Sequence, residues 1–142
     1  MANNVQVEFE DNRIAVMNAL EEACIAYLHE AGGELEAQVK RNTRVDTGNT
    51  KGKWTYTVDE DKLEAIVGNP LENAIWEELG TGEYALEGNG RKGGWAYKDV
   101  KGEWHFTRGK RPNRALESAF VKLKNPLKKR AEKVLKARLD ND

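Results

Sequence analysis

The sequence predicts an α+β domain: an antiparallel sheet of two hairpins, covered by a long N-terminal helix and a C-terminal helix, with a glycine-rich loop between the hairpins. Three observations carry this. Apolar residues recur every three or four positions over residues 12–42, the repeat shortens to two after residue 52, and the longer repeat returns after Pro112. Strands flanked by helices, without strict β–α–β alternation, pair antiparallel and collect helices on one face. At 142 residues the chain fits a single domain spanning 1–142, since a chain of this length buries roughly two thirds of its unfolded surface.

In the first helix the buried stripe is Met17, Leu20, Cys24, Tyr27, Leu28, Ala31, Leu35 and Val39. Asp11 or Asn12 can accept a bond from a free backbone N–H at its start, and residues 1–11 before it are expected to be flexible. Gly32 and Gly33 each cost about 1 kcal/mol relative to Ala and predict a kink. Val45, Asp46, Thr47 and Gly48 carry turn chemistry. Residues 53–58 and 63–67 then read as a hairpin turning at Asp59, Glu60 and Asp61. After Pro70, residues 71–79 suit a short helix with Ile75, Trp76 and Leu79 on one side.

Residues 80–94 contain Gly80, Gly82, Gly88, Gly90, Gly93 and Gly94, and a loop of this length is expected to be mobile and functional. A second hairpin follows, pairing Trp95, Ala96 and Tyr97 with Trp104, His105 and Phe106 and placing Gly102 in a left-handed turn position. From Pro112 a final helix runs to about Leu139. Ala115, Leu116, Ala119, Phe120 and Leu123 form its first apolar face, and Pro126 predicts a kink or a break. Residues 125–142 form a basic helical extension.

The 24 acidic and 23 basic residues nearly cancel, but the basic excess gathers between Lys122 and Arg138. Such a run is a solvated helix face or a surface for nucleic acid or an acidic partner. The lone Cys24 allows no intramolecular disulfide and reads as a small core residue in a reducing compartment. No signal peptide or bilayer-length apolar run is expected, so the chain reads as cytoplasmic in origin with no membrane partner.

Catalytic chemistry finds little footing. Gly88, Gly90 and Gly93 spell the dinucleotide-binding pattern, yet they lead into a strand instead of a helix. His29 and His105 lack a second histidine or cysteine at ligand spacing, so no metal site is expected. Glu77 and Glu78 are sequence neighbours and point apart on a helix. Ser118 has no nucleophile-elbow context. What stands out is Trp76, Trp95 and Trp104 around the glycine-rich region, interleaved with Arg91, Lys92, Lys98, Lys101, Arg108, Lys110, Arg111 and Arg114. Tryptophans of this kind anchor protein interfaces, stack nucleic-acid bases, or pack a hairpin onto helices.

The run from Asn73 to Gly82 (Asn-Ala-Ile-Trp-Glu-Glu-Leu-Gly-Thr-Gly), then Trp95-Ala96-Tyr97, Trp104-His105-Phe106-Thr107-Arg108-Gly109 and Pro112-Asn113-Arg114-Ala115-Leu116, resembles tailed-bacteriophage head–tail joining proteins over residues 12–124. Val45 to Gly48 is similar to the turn before that family's first strand. Leu79 stands where the family usually has Phe, and Asn49 to Gly52 replaces its usual hydrophobic or serine-containing continuation. The resemblance implies a structural, non-enzymatic role in the virion neck or tail, without a cofactor, through a ring of identical subunits around the DNA channel. Its implied neighbours are head-closure, tail-terminator or tail-tube proteins. The expected subunit interface is Trp76, Leu79, Gly80, Thr81, Gly82, Trp95, Trp104 and His105, and part of Arg91, Lys92, Arg108, Lys110 and Arg111 is expected to face DNA or, as the alternative, acidic residues of a neighbouring ring. The other functional class the sequence suits is a non-enzymatic nucleic-acid-binding module.

Overall fold

The computed structural model describes residues 7–8, 10–44 and 49–140, with backbone alone for 49 and 50. The turn expected at Val45 to Gly48, and most of the segment expected to be flexible at 1–11, lie outside the described residues. Helix α1 (Arg13–Asn42) is followed by a short α2 (Asn49–Gly52), the hairpin β1 (Thr55–Asp59) and β2 (Glu64–Gly68), and α3 (Asn73–Leu79). A 3-10 turn (Gly82–Tyr84), the hairpin β3 (Trp95–Lys98) and β4 (Trp104–Thr107), and α4 (Ala115–Asp140) complete the chain. The class is α+β, as the periodicities predict, but the two hairpins remain separate two-stranded antiparallel sheets. Of the two, it is β1–β2 that packs on α1.

Asp11 supports the start of α1: its carboxylate accepts from the Arg13 backbone N–H at 3.1 Å, while the Asn12 side chain makes no capping bond. The helix continues through Gly32 and Gly33. Gly32 serves a close approach instead, because a Cβ there would lie 2.6 Å from Cδ2 of Tyr56 on β1. His29 reinforces the contact, its Nδ1 lying 3.3 Å from the Tyr56 hydroxyl.

The core is small. Val39 (0% exposed), Trp54 (5%), Ala115 and Ala119 form it, with Leu35, Val67 and Leu116 packed around them. Alanines on α4 let that helix approach α1 closely, and the indole of Trp54 fills the space beside them. The apolar stripe of α1 is fully buried only at Val39. Its N-terminal half is covered only in part, leaving Met17 exposed and Cys24 half-buried although Leu63, from the turn of the first hairpin, lines the same groove. Cys24 therefore lines an apolar groove with Leu20, Leu135 and Leu139, and is not the core residue its spacing suggested.

Helices α1 and α4 are held in register by polar contacts. The Tyr27 hydroxyl donates to the Leu127 carbonyl, and Arg130 donates to Glu30 at 3.0 Å and Glu34 at 2.6 Å. Burial raises the Tyr27 pKa above its ordinary value, keeping the hydroxyl protonated as that bond requires. Pro126 lies inside α4 without splitting it, contrary to a break. The helix is pinned on both sides of the proline, by buried Leu123 before it and by the Leu127 and Arg130 contacts after it. Arg114, at φ 51°, turns the chain into α4, so that helix begins at Ala115 and not at Pro112.

Candidate interaction site

Helix α3 is fastened to its surroundings by the two glutamates that sequence reasoning set aside. Glu78 reaches the start of α4, where its two carboxylate oxygens accept the Leu116 and Glu117 backbone N–H groups, each at 2.9 Å. This is an N-cap supplied from another helix, satisfying donors that have no intrahelical partner. Replacing Glu78 by Ala should lower unfolding free energy by about 1–2 kcal/mol, read as a shifted denaturant midpoint. An unchanged midpoint would mean that water replaces the carboxylate without loss. Glu77 pairs with Lys110 and with Arg44 at 3.3 Å, and its carbonyl accepts the Asn113 N–H at 2.7 Å. Nothing in the sequence separation of 33 residues between Glu77 and Lys110 signals that pair.

The glycine-rich segment is joined to the chain leaving β4. Thr81 N–H donates to the Lys110 carbonyl and Glu83 N–H to the Arg108 carbonyl, both at 2.9 Å, and Lys110 N–H returns a bond to Thr81 Oγ1. Backbones come so close that a Cβ at Gly82, Gly90 or Gly109 would overlap a carbonyl oxygen of Arg108, Gly82 or Thr81 respectively. Gly88 and Gly93 face open space, and the Gly93 N–H donates to Glu83 at 3.1 Å. The pattern Gly88, Gly90, Gly93 leads into strand β3 and not into a helix, so it lacks the helix N-terminus on which a pyrophosphate sits.

Between α3 and this segment lies a pocket of about 410 Å³, walled by Ile75, Trp76, Leu79, Leu86, Glu87 and Arg91 and floored by Gly80, Thr81 and Gly82. Five expected interface residues (Trp76, Leu79, Gly80, Thr81 and Gly82) thus gather at one depression, with Trp76 51% exposed. Trp95, Trp104 and His105 lie apart, on the second hairpin.

That hairpin is exposed on both sides. Its register pairs Trp95 with Thr107, Ala96 with Phe106, Tyr97 with His105 and Lys98 with Trp104. Opposed residues share a face, so Trp95, Tyr97, His105 and Thr107 form one side and Ala96, Lys98, Trp104 and Phe106 the other. On the first side Tyr97 and His105 stack at 5.4 Å, and the Arg91 guanidinium lies 5.6 Å from the Trp95 ring. On the second, Trp104 is 70% and Phe106 66% exposed, with the Lys98 ammonium 6.0 Å from the Trp104 ring. The rings therefore do not pack the hairpin onto helices.

The hairpin turn is ordered by Asp99, whose carboxylate accepts from Lys101 and Glu103 N–H and meets His105 Nε2 at 2.7 Å. The His105 bond, then the backbone bond from Glu103, holds the Asp99 pKa below its ordinary value. A depressed carboxylate stabilises the fold above its unfolded pKa of about 3.9 and loses that contribution as pH falls through the lower folded value. The Glu103 amide should keep its exchange protection at neutral pH and lose it below about pH 4. Asp99→Asn should abolish that dependence, and an unchanged acid profile in the variant would exclude Asp99 as its source.

Of the five cations expected to face DNA, four already have partners. Lys110 pairs with Glu77, Arg108 with Glu83 at 3.4 Å, Arg111 lies 5.0 Å from the Tyr84 ring, and Arg91 lies over Trp95. Lys92 is exposed. Asp99, Glu103 and His105 are near enough together to contact one cation, but Glu103 and His105 are exposed and half-buried Asp99 already orders the turn.

Comparison with known proteins gives a family. The model of the HK97-gp10-like family, described as "Bacteriophage HK97-gp10, putative tail-component", matches residues 4–85, which takes in α1, the first hairpin, α3 and the start of the glycine-rich segment. The second hairpin and α4 lie beyond the match. A 56-residue stretch is 45% identical to the sulfite reductase [NADPH] hemoprotein beta-component of Bacillus licheniformis, covering 39% of this chain and 9% of that protein. Spanning under a tenth of that length, the chain takes no activity from it. No solved structure matches.

Proposed function

We propose, from the premise that this chain belongs to the HK97-gp10-like family of bacteriophage tail components, that it completes the neck or tail by forming an oligomeric ring around the DNA channel. Membership makes it a structural protein of the virion tail. The finer role rests on one observation: the second hairpin exposes Trp104 and Phe106 on one side and Tyr97 on the other. Large exposed rings at this density mark surfaces that other proteins cover.

In this reading the ring contacts sister subunits through α3, its pocket and the second hairpin. Head-closure, tail-terminator or tail-tube proteins are its neighbours above and below. Of residues 80–94, expected to be mobile as a whole, 81–83 are tied to 108–110. The motion before docking is therefore that of the mostly exposed stretch 87–93, which orders on assembly so that the entropic cost falls in the docking step. No cofactor or reaction is involved. Phage lacking the chain should yield separate full heads and tails, or abnormal tails, in electron micrographs. Intact infectious particles would remove the proposed role.

Any DNA contact in the channel is non-specific, and Lys92 is the cation of the group best placed to make it. The competing reading, a nucleic-acid-binding module, draws on the exposed cations of α4, among them Lys122, Lys124, Lys128 and Lys133. Salt-sensitive DNA binding by the isolated monomer, weakened when these lysines become glutamines, would favour it. Binding that is absent at physiological salt would favour the ring.

A further inference from the structure

We infer that copies of this chain join head to tail, the Trp104–Phe106 side of one second hairpin entering the α3 pocket of the next. The inference rests on the ring reading and gives it a contact. Within one chain the two surfaces cannot meet. Arg91 belongs to the pocket wall and lies over Trp95, which places the Trp95 side of the hairpin toward the pocket. Trp104 and Phe106 are on the opposite side of the same two-stranded sheet. A convex aromatic surface and a concave apolar one thus face different ways on one molecule. Two unlike surfaces that fit each other make a heterologous contact, which closes into a ring when the rotation allows, whereas a self-complementary patch stops at a dimer.

Size and charge agree with this occupant. About 410 Å³ falls within the range of pockets that enclose a small ligand, enough to receive an aromatic side chain. The charge on the entering face is Lys98, beside Trp104. The pocket wall carries the exposed carboxylate of Glu87, while its cation, Arg91, is drawn toward Trp95. Lys98 of one copy against Glu87 of the next orients the entry and the rings supply most of the affinity.

The test uses full-length chains and native mass spectrometry. Trp104→Ala removes the entering ring and Ile75→Asp charges the pocket, both at exposed positions where folding is retained. Each alone should raise the concentration needed for assembly at least roughly tenfold. Their mixture should give 1:1 dimers that grow no further, because one competent surface remains on each partner. Glu87→Lys and Lys98→Glu should each weaken assembly and together restore it. Wild-type rings with normal rings from every single variant would overturn this contact and leave the ring reading standing. A wild-type chain monomeric up to millimolar concentration, failing also to assemble when added to tails that lack it, would overturn both. Binding of a tail-tube protein or a small ligand in the pocket, without self-association, would likewise exclude a sister copy as the occupant.

Discussion

Trp54→Ala lowers the unfolding free energy by about 3–5 kcal/mol, a large share of the roughly 5–15 kcal/mol that holds a domain of this size folded. Trp54 is 5% exposed and shares the core with Val39, Ala115 and Ala119. Its fully buried neighbours on α4 are alanines, which have no side-chain length with which to refill the space, so Leu116 and the residues around it can close only part of a truncation. The indole Nε1 is buried and has no hydrogen-bond partner among the described residues. That makes the substitution series discriminating. Trp54→Phe keeps much of the volume and removes an unsatisfied donor, so its cost should be no more than about 1–2 kcal/mol. Chemical unfolding of the two variants checks the pair. If Phe proved as damaging as Ala, the N–H would have to be making a bond that stabilises the fold.

The second large effect is local. Gly109 has φ 123° and its missing Cβ would overlap the Thr81 carbonyl. Gly109→Ala meets both backbone strain of about 1–3 kcal/mol and a steric overlap that only separation of two backbone segments can relieve. The Thr81–Lys110 and Glu83–Arg108 hydrogen bonds should then open, with exchange protection at the Thr81, Glu83 and Lys110 amides falling at least tenfold. The α1–α4 pairing lies elsewhere and should keep its protection. Gly88→Ala is the control: at φ 70° it carries strain of about 1 kcal/mol but meets nothing within 4 Å. Equal effects from the two variants would show that close approach at Gly109 is not what holds the junction.

Much of this architecture was legible because periodicity is set by secondary structure itself. The helix around Leu35 and Val39, the hairpin turning at Asp59, the left-handed Gly102 and the apolar face at Ala115, Ala119 and Leu123 follow from spacing and turn chemistry. What spacing could not show was which helix turns would find a partner. Met17 and Cys24 continue the stripe of Val39, yet Leu63 of the hairpin turn and Leu135 and Leu139 of α4 leave the groove beside them open. Gly32 read as a kink, although its use depends on Tyr56, a residue 24 positions later. Trp54 looked like the start of an alternating strand and became the centre of the core.

The candidate site divides in the same way. Trp76, Leu79, Gly80, Thr81 and Gly82 were named together and lie together, since one short helix and its exit carry them. The roles of Glu77 and Glu78 required knowing what α3 would lie beside, which local sequence does not encode. The cation cluster looked free because its partners, Glu77, Glu83 and Tyr84, are 25 or more positions distant from Lys110, Arg108 and Arg111.

Helix α3 contributes one buried side chain, Ala74, and is otherwise attached by Glu77 and Glu78 to segments on either side of it. Charge-assisted bonds of this kind are directional and can be broken and remade over small displacements, whereas interdigitated apolar side chains resist sliding. A neighbour pulling on Trp76 would therefore tug directly on the first turn of α4, where Ala115 belongs to the core, so that a disturbance at the rim is handed straight to the contact between the two long helices.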